Sequence, residues 1–214
     1  MFFNKIILLY KQYGIKGFLI RILKFVLRKI GVIYESYYYL IQNIDIEKSK
    51  KYWEKNKIEN VKILIYEDFL TGDKDIFNHK KLDLIKIRLE TANYIPYGVS
   101  VEGKLIYSCW LSLKEFSVLS NFINLNLPLD SVLFIDDYCS PSMRGKGIHT
   151  SMNNYRLIKA FEMGYKKAIV LILKENYPAL KSQLKSGFQI FFSFYILKIG
   201  RFHFSNLHPM IFCA

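Results

Sequence analysis

Cysteine is scarce in this 214-residue chain. Cys109, Cys139 and Cys213 are far apart, odd in number and outside any CxxC pattern. That argues against a disulfide framework or a structural zinc site and for a reduced, cytosolic protein. Acids are also few: 18 Asp and Glu stand against 31 Lys and Arg, a formal charge of +13. Such a surplus attracts phosphates, anionic lipid or nucleic acid without choosing among them. Long uncharged apolar runs are absent, because basic residues recur every few positions through residues 18–27. Neither a signal peptide nor a spanning helix of about 20 apolar residues is expected. Zinc-finger spacing, an RNA-binding aromatic signature and a helix-turn-helix pattern are missing too, which disfavours nucleic acid. His79, His149, His203 and His208 lack a ligand spacing, so no metal site is expected.

Hydrophobic residues, by contrast, make up 51% of the chain, enough for one domain of ordinary size with a short appendage. Residues 1–34 carry Lys5, Lys11, Lys16, Arg21, Lys24, Arg28 and Lys29, and the first acid is Glu35. At helical spacing Leu19, Leu23, Val26, Leu27 and Ile30 share one side, while Arg21, Lys24 and Arg28 share the other. A basic amphipathic helix of this kind either lies on an anionic membrane, here the inner face, or packs on its own domain or a partner. Composition shifts at the lysine-rich stretch 45–60, dividing the chain into a helical N-terminal extension, 1–58, and a main domain, 59–214.

Periodicity predicts strands at 61–66, 97–101, 105–111, 131–139, 167–173 and 188–197, with helices at 76–94, 148–163 and 178–186. Residues 45–60 read as a solvated connection or a short helix, and 121–129 as a loop or irregular helix. Between the strand ending at Cys139 and the helix opening near Ile148 lies Pro141-Ser142-Met143-Arg144-Gly145-Lys146-Gly147-Ile148. Two glycines permit a tight turn whose N–H groups converge on an anion, aided by the helix's positive end and by Arg144 and Lys146. The run is neither a P-loop nor a dinucleotide fingerprint. Taken alone, it reads as readily as a basic turn before a helix.

The stretch 132–188 resembles the GNAT superfamily of N-acetyltransferases. Arg144, Gly145, Lys146, Gly147 and Ile148 match that family's R/Q-x-x-G-x-G/A block, and Asn176, Ala179, Gly187 and Phe188 match a second block. The resemblance implies an α/β fold with a mostly antiparallel mixed sheet, splayed where the Cys139 and Lys167 strands part. It implies acetyl-CoA as co-substrate, its pyrophosphate held by backbone N–H groups of Arg144, Gly145, Lys146, Gly147, Ile148 and His149. The pantetheine would pair with the backbone at Tyr138 and Cys139, and Asn176 joins the cofactor-binding set. His149 stands where the signature has a small residue. Gln183 stands where many relatives carry a proton-donating Tyr, leaving Tyr177, Ser182, Tyr195 or water to replace it.

An amine acceptor must lose a proton before it attacks a thioester, and a carboxylate is the natural base. Asp136 and Asp137 precede the expected gap on alternating faces, with Asp137 favoured because it shares Cys139's face; both also read as solvent-facing acids. The expected acceptor is a primary amine of a small molecule, by analogy an amino sugar of bacterial surface polysaccharide. A non-catalytic acyl-CoA-binding or membrane-associated scaffold is the alternative, and transfer of another acyl or an aminoacyl group is a third reading. The tail from His203 either closes the acceptor pocket or mediates a homodimer.

Overall fold

The computed structural model describes the backbone of residues 2–118 and 123–206 and the side chains of residues 13–114 and 126–206. The tail beyond residue 206, with His208 and Cys213, and the side chains of Lys5 and Lys11 lie outside these. In chain order the elements are α1 (Phe2–Lys29), β1 (Val32–Asn43), α2 (Ile46–Lys55), β2 (Lys62–Ile63), α3 (Tyr66–Leu70), α4 (His79–Leu89), β3 (Tyr94–Val101) and β4 (Lys104–Ser112). There follow β5 (Glu115–Val118), β6 (Ile123–Asn126), β7 (Ser131–Cys139), α5 (Ile148–Glu162), β8 (Lys167–Leu173), α6 (Tyr177–Lys185), β9 (Gln189–Ile199) and β10 (Phe202–Ser205). The fold is mixed α/β. Its strand pairs are antiparallel apart from β7 with β8.

Two compact units form: residues 1–41 with 171–214, and residues 42–170. In the first, β1 pairs antiparallel with β9, from Val32↔Ile199 to Ile41↔Gln189, and β9 pairs with β10. β1 lies within the stretch expected to be helical. Its run of Val, Ile and Tyr suits a pleated surface better than a helix. Glu35, Tyr37 and Tyr39 alternate inward along it, and Tyr37 stacks on Phe194 and Tyr39 on Phe192 at 5.2 and 4.6 Å between ring centroids.

Helix α1 breaks at Gly14, which has φ 65° and ψ 176°, and the part beyond it docks on the first unit by its basic side. Gly17 makes the approach possible: a Cβ there would lie 2.9 Å from Tyr13 Cβ and 3.1 Å from the Glu175 carbonyl oxygen. Lys24, 11% exposed, donates at 2.6 Å to Glu175, 4% exposed. Arg28 pairs with Glu35, which also accepts from the Tyr37 hydroxyl. The usual rule of apolar side inward is inverted in this part of the helix.

In the second unit the sheet runs β2-β3-β4-β7, with the first half of β8 pairing parallel to β7. Helices α3 and α4 cover one face, where Phe69, Phe77 and Ile85 pack with Leu64, Leu105, Trp110 and Tyr138. On the other side Tyr155 of α5 meets Tyr97 of β3 and Trp53 of α2. α2 starts at Asp45, whose side chain accepts from Lys48 N–H as an N-cap. The helix expected at 76–94 is shorter because residues from Tyr94 pair as β3. Residues 123–126, read as loop or irregular helix, instead pair with β5.

A buried ion pair that loses one member leaves an uncompensated charge, whereas replacing both members with apolar groups is close to neutral. Glu175→Met should therefore lower unfolding stability by about 3 kcal/mol, read from the urea midpoint. Adding Lys24→Met should restore most of the loss.

Candidate functional site

β7 pairs with β8 over Ser131↔Lys167 to Phe134↔Val170 and continues to Cys139. At the point where this pairing ends, the strand carries an extra residue. Its register against β4 advances from Trp110↔Ile135 to Ser108↔Tyr138, three residues against two, and Asp136 has φ 59°. This β-bulge breaks the simple alternation expected of Asp136 and Asp137. Ile135 packs with the α3–α4 cluster, and Asp136 stays on that side, bonded to Lys81 and, at 2.6 Å, to Arg88. Asp137 and Cys139 thereby join Phe134's face. Burial pushes the Asp136 carboxyl up, and Lys81 and Arg88 more than reverse this, holding it below the usual carboxylate range.

Asp137 meets a charge that the sequence analysis did not single out. Arg156 on α5 has no exposed side-chain surface and grips Asp137 through two nitrogens, at 2.8 and 3.0 Å. It also donates to the Trp110 carbonyl oxygen at 3.2 Å and lies 4.2 Å from the Phe134 ring centroid. Its only signal in the sequence is spacing: His149, Asn153 and Arg156 fall at i, i+4 and i+7, one face of α5. All three converge. Arg156 donates to Asn153 Oδ1, which turns the Asn153 Nδ2 toward His149 Nε2, 3.3 Å away. An amide nitrogen only donates, so Nε2 accepts and the imidazole proton sits on Nδ1. That nitrogen lies 3.0 Å from the Tyr107 hydroxyl and 3.5 Å from Asp137 Oδ2. Burial lowers the pKa of His149; Asp137 pulls it up and Arg156 pushes it down, for a net value below 6.5.

Beyond the bulge the backbone of β7 offers an edge. Ser140 N–H donates to the Ile106 carbonyl of β4 at 2.8 Å, so by alternation the Cys139 N–H points away from β4. Tyr138 packs its ring edge on Phe77. Burial pushes the Cys139 thiol up, the wrong direction for a nucleophile. The chain then turns through Pro141–Met143 and Arg144, whose Nε donates to the Cys139 carbonyl at 3.2 Å. Gly145 and Gly147 both have φ 78°. Gly147 is the N-cap of α5 and provides no side-chain cap, so the N–H groups of its first turn, through Ile148, His149 and Thr150, lack intrahelical acceptors. A Cβ added at Gly147 would meet nothing within 4 Å. The cradle is open and flanked by exposed Arg144 and Lys146, so its N–H groups and positive charge are accessible to an anion. Its backbone is anchored by Ile148, whose side chain is buried.

The structure therefore brings Asp136, Asp137, Tyr138, Cys139 and residues 144–149 into the second unit. Asn176 belongs to the first, where its side chain caps α6 by accepting from Ala179 N–H. Gln183 is buried on α6, and Tyr177 and Tyr195 are exposed. Among the described residues no His, Cys, Asp and Glu cluster could hold a metal ion.

No protein-family model and no curated protein matches the sequence. Solved structures do match. One is a GCN5-related glucosamine N-acetyltransferase region within a fungal multi-domain β-N-acetylglucosaminidase, at 16% identity and TM-score 0.54, covering 86% of this chain and 23% of that one. A Drosophila protein matches at 12% identity and TM-score 0.52, over 86% of this chain and 57% of its own. A conserved Staphylococcus epidermidis protein of unknown function matches at 12% identity and TM-score 0.54, over 83% and 66%. The chain thus spans less than two thirds of each of these proteins. It has the GNAT fold.

Because His149 titrates lower in the folded chain than in the unfolded one, the folded state binds fewer protons just below pH 6.5. Stability should therefore fall as pH drops through that window. Asp137→Asn should move the His149 pKa further down and Arg156→Met should raise it, both followed by NMR titration of the imidazole. An unchanged His149 pKa in both variants would mean that these charges do not reach the imidazole.

Proposed function

We propose that this chain is an acetyl-CoA-dependent N-acetyltransferase acting on a primary amine of a small molecule. One observation carries the reading: a single turn, residues 140–146, joins the bulged strand β7 to the uncapped N-terminus of α5 at left-handed Gly147. An anion-binding turn and an open strand edge are the two parts needed to grip the phosphate and amide ends of a long, pantetheine-type donor. The donor supplies a thioester carbonyl.

The protein's own groups then divide the work. N–H groups from Arg144 to His149 bind pyrophosphate, with Arg144 and Lys146 adding charge. The β7 backbone at Cys139 aligns the pantetheine, and an N–H group of that strand meets the developing oxyanion. Asp137 takes the proton from the acceptor ammonium, directly or through water, and passes it toward solvent. Its side chain is 21% exposed, which leaves a lone pair within reach of water although Arg156 grips it. Asp136 is the second candidate, with a carboxylate kept ionised by Lys81 and Arg88. His149, neutral and hydrogen-bonded on both ring nitrogens, positions Asp137 against α5's first turn.

The acceptor we favour is an amino sugar. Its support is analogy with the fungal region, named a glucosamine N-acetyltransferase, and with GNAT-like chains carrying basic N-terminal additions. In the same reading the protein works in the cytoplasm, with residues 1–34 at the inner membrane face, and it pairs as a homodimer. A non-catalytic acyl-CoA binder is the second reading. It draws on Gln183, which cannot protonate a thiolate, and on the cations that hold both candidate carboxylates.

Titration calorimetry with acetyl-CoA should give a single site that Gly147→Glu weakens on the order of 100-fold, through like-charge contact with the pyrophosphate. Gly164→Glu, equally strained at φ 90° but at the far end of α5, should leave binding intact. Amine-dependent release of CoA by wild type separates the enzyme from the binder, beginning with nucleotide amino sugars.

A further inference from the structure

We propose that the outward face of α1 is a docking surface for an anionic lipid membrane. The inference stands independently of acetyl transfer. Because the part of α1 beyond Gly14 docks by Gly17 and Lys24, its opposite face is apolar and exposed among the described residues: Ile15, Leu19, Ile22, Leu23, Val26 and, just past its end, Ile30 are 46% to 71% exposed. These positions recur at helical spacing and form one stripe. Lys16 and Lys29 are exposed on its two flanks, and Lys29 Nζ lies 5.5 Å from the Phe25 ring centroid. Basic flanks around an apolar stripe suit a helix lying in the headgroup region, its side chains reaching acyl chains below and lipid phosphates beside. Among the described residues no helix is long and apolar enough to cross a membrane.

Charge selects the occupant. Residues 1–34 contain no Asp or Glu, so a second copy seated on this stripe would set lysine flanks against lysine flanks. An anionic bilayer answers both the stripe and its rim. Lys24, which sequence periodicity offers as a lipid-facing charge, is engaged inside the unit by Glu175, and Arg28, half-exposed, pairs with Glu35. The membrane side of α1 is therefore the apolar one with its flanks.

The test is sedimentation of the full chain with phosphatidylcholine vesicles, alone or mixed with phosphatidylglycerol. Wild type should bind the mixed vesicles at least about tenfold more tightly than the neutral ones. Leu19→Glu combined with Leu23→Glu and Val26→Glu should lower that binding about tenfold or more, and Lys16→Glu with Lys29→Glu should abolish the preference for phosphatidylglycerol. Lys24→Met with Glu175→Met, on the inward side, should change binding less than about twofold. Equal binding by the triple variant overturns the proposal, as does its failure to fold, which would place those side chains inside. Absence of vesicle binding by wild type also overturns it, and a wild-type dimer that the triple variant dissociates would then assign the stripe to a second copy.

Discussion

The second unit depends on neutralising one buried cation. Arg156 reaches from α5 to the underside of the sheet with no exposed side-chain surface, and an arginine stays charged at any accessible pH. A carboxylate must therefore stand on the same face of β7, and regular pleating from Phe134 would put Asp136 there. The bulge instead inserts Asp136 in a left-handed conformation and delivers Asp137 to the guanidinium. The left-handed residue is an Asp, which tolerates that region better than most side chains, and its own carboxylate is held on the opposite face by Lys81 and Arg88. Three cations and two carboxylates thus clamp the strand from both sides at the point where its pairing with β8 ends.

Much of this unit was legible from local pattern. Residues 131–139 and 167–173 are apolar, β-branched and bounded by turn residues, and both strands fall where the sequence analysis expects them. The glycine turn and the start of α5 also fall in place, because positive φ and helix initiation are local properties. The bulge was not legible. A one-residue change of phase leaves no trace in composition, and two adjacent aspartates look alike whichever faces they take. Arg156 was hidden differently: an arginine on a helix reads as a solvated charge until the side carrying the sheet is known.

The N-terminal segment offers the complementary lesson. Periodicity separates the apolar and basic sides of α1 correctly but does not say which side turns inward. Burial of apolar area would choose the first. Here the close approach at Gly17 and the buried acids Glu175 and Glu35 choose the second, a long-range choice because Glu175 lies 151 residues from Lys24. Tyr-rich β1 is likewise a strand whose partner, β9, comes far later in the chain.

That separation has a consequence for how the protein is made. β1 leaves the ribosome well over a hundred residues before β9, which at 5–20 residues per second means a wait on the order of ten seconds. During that interval the nascent chain exposes an unsatisfied strand edge, and the acid that receives Lys24 has yet to be synthesised. The unit spanning residues 42–170 is contiguous, so the partners for its own contacts are all synthesised before then. The order of synthesis thus places the anion cradle before the unit built from the two flanking segments, and it makes the early segment the part of the nascent chain most in need of a chaperone or a surface.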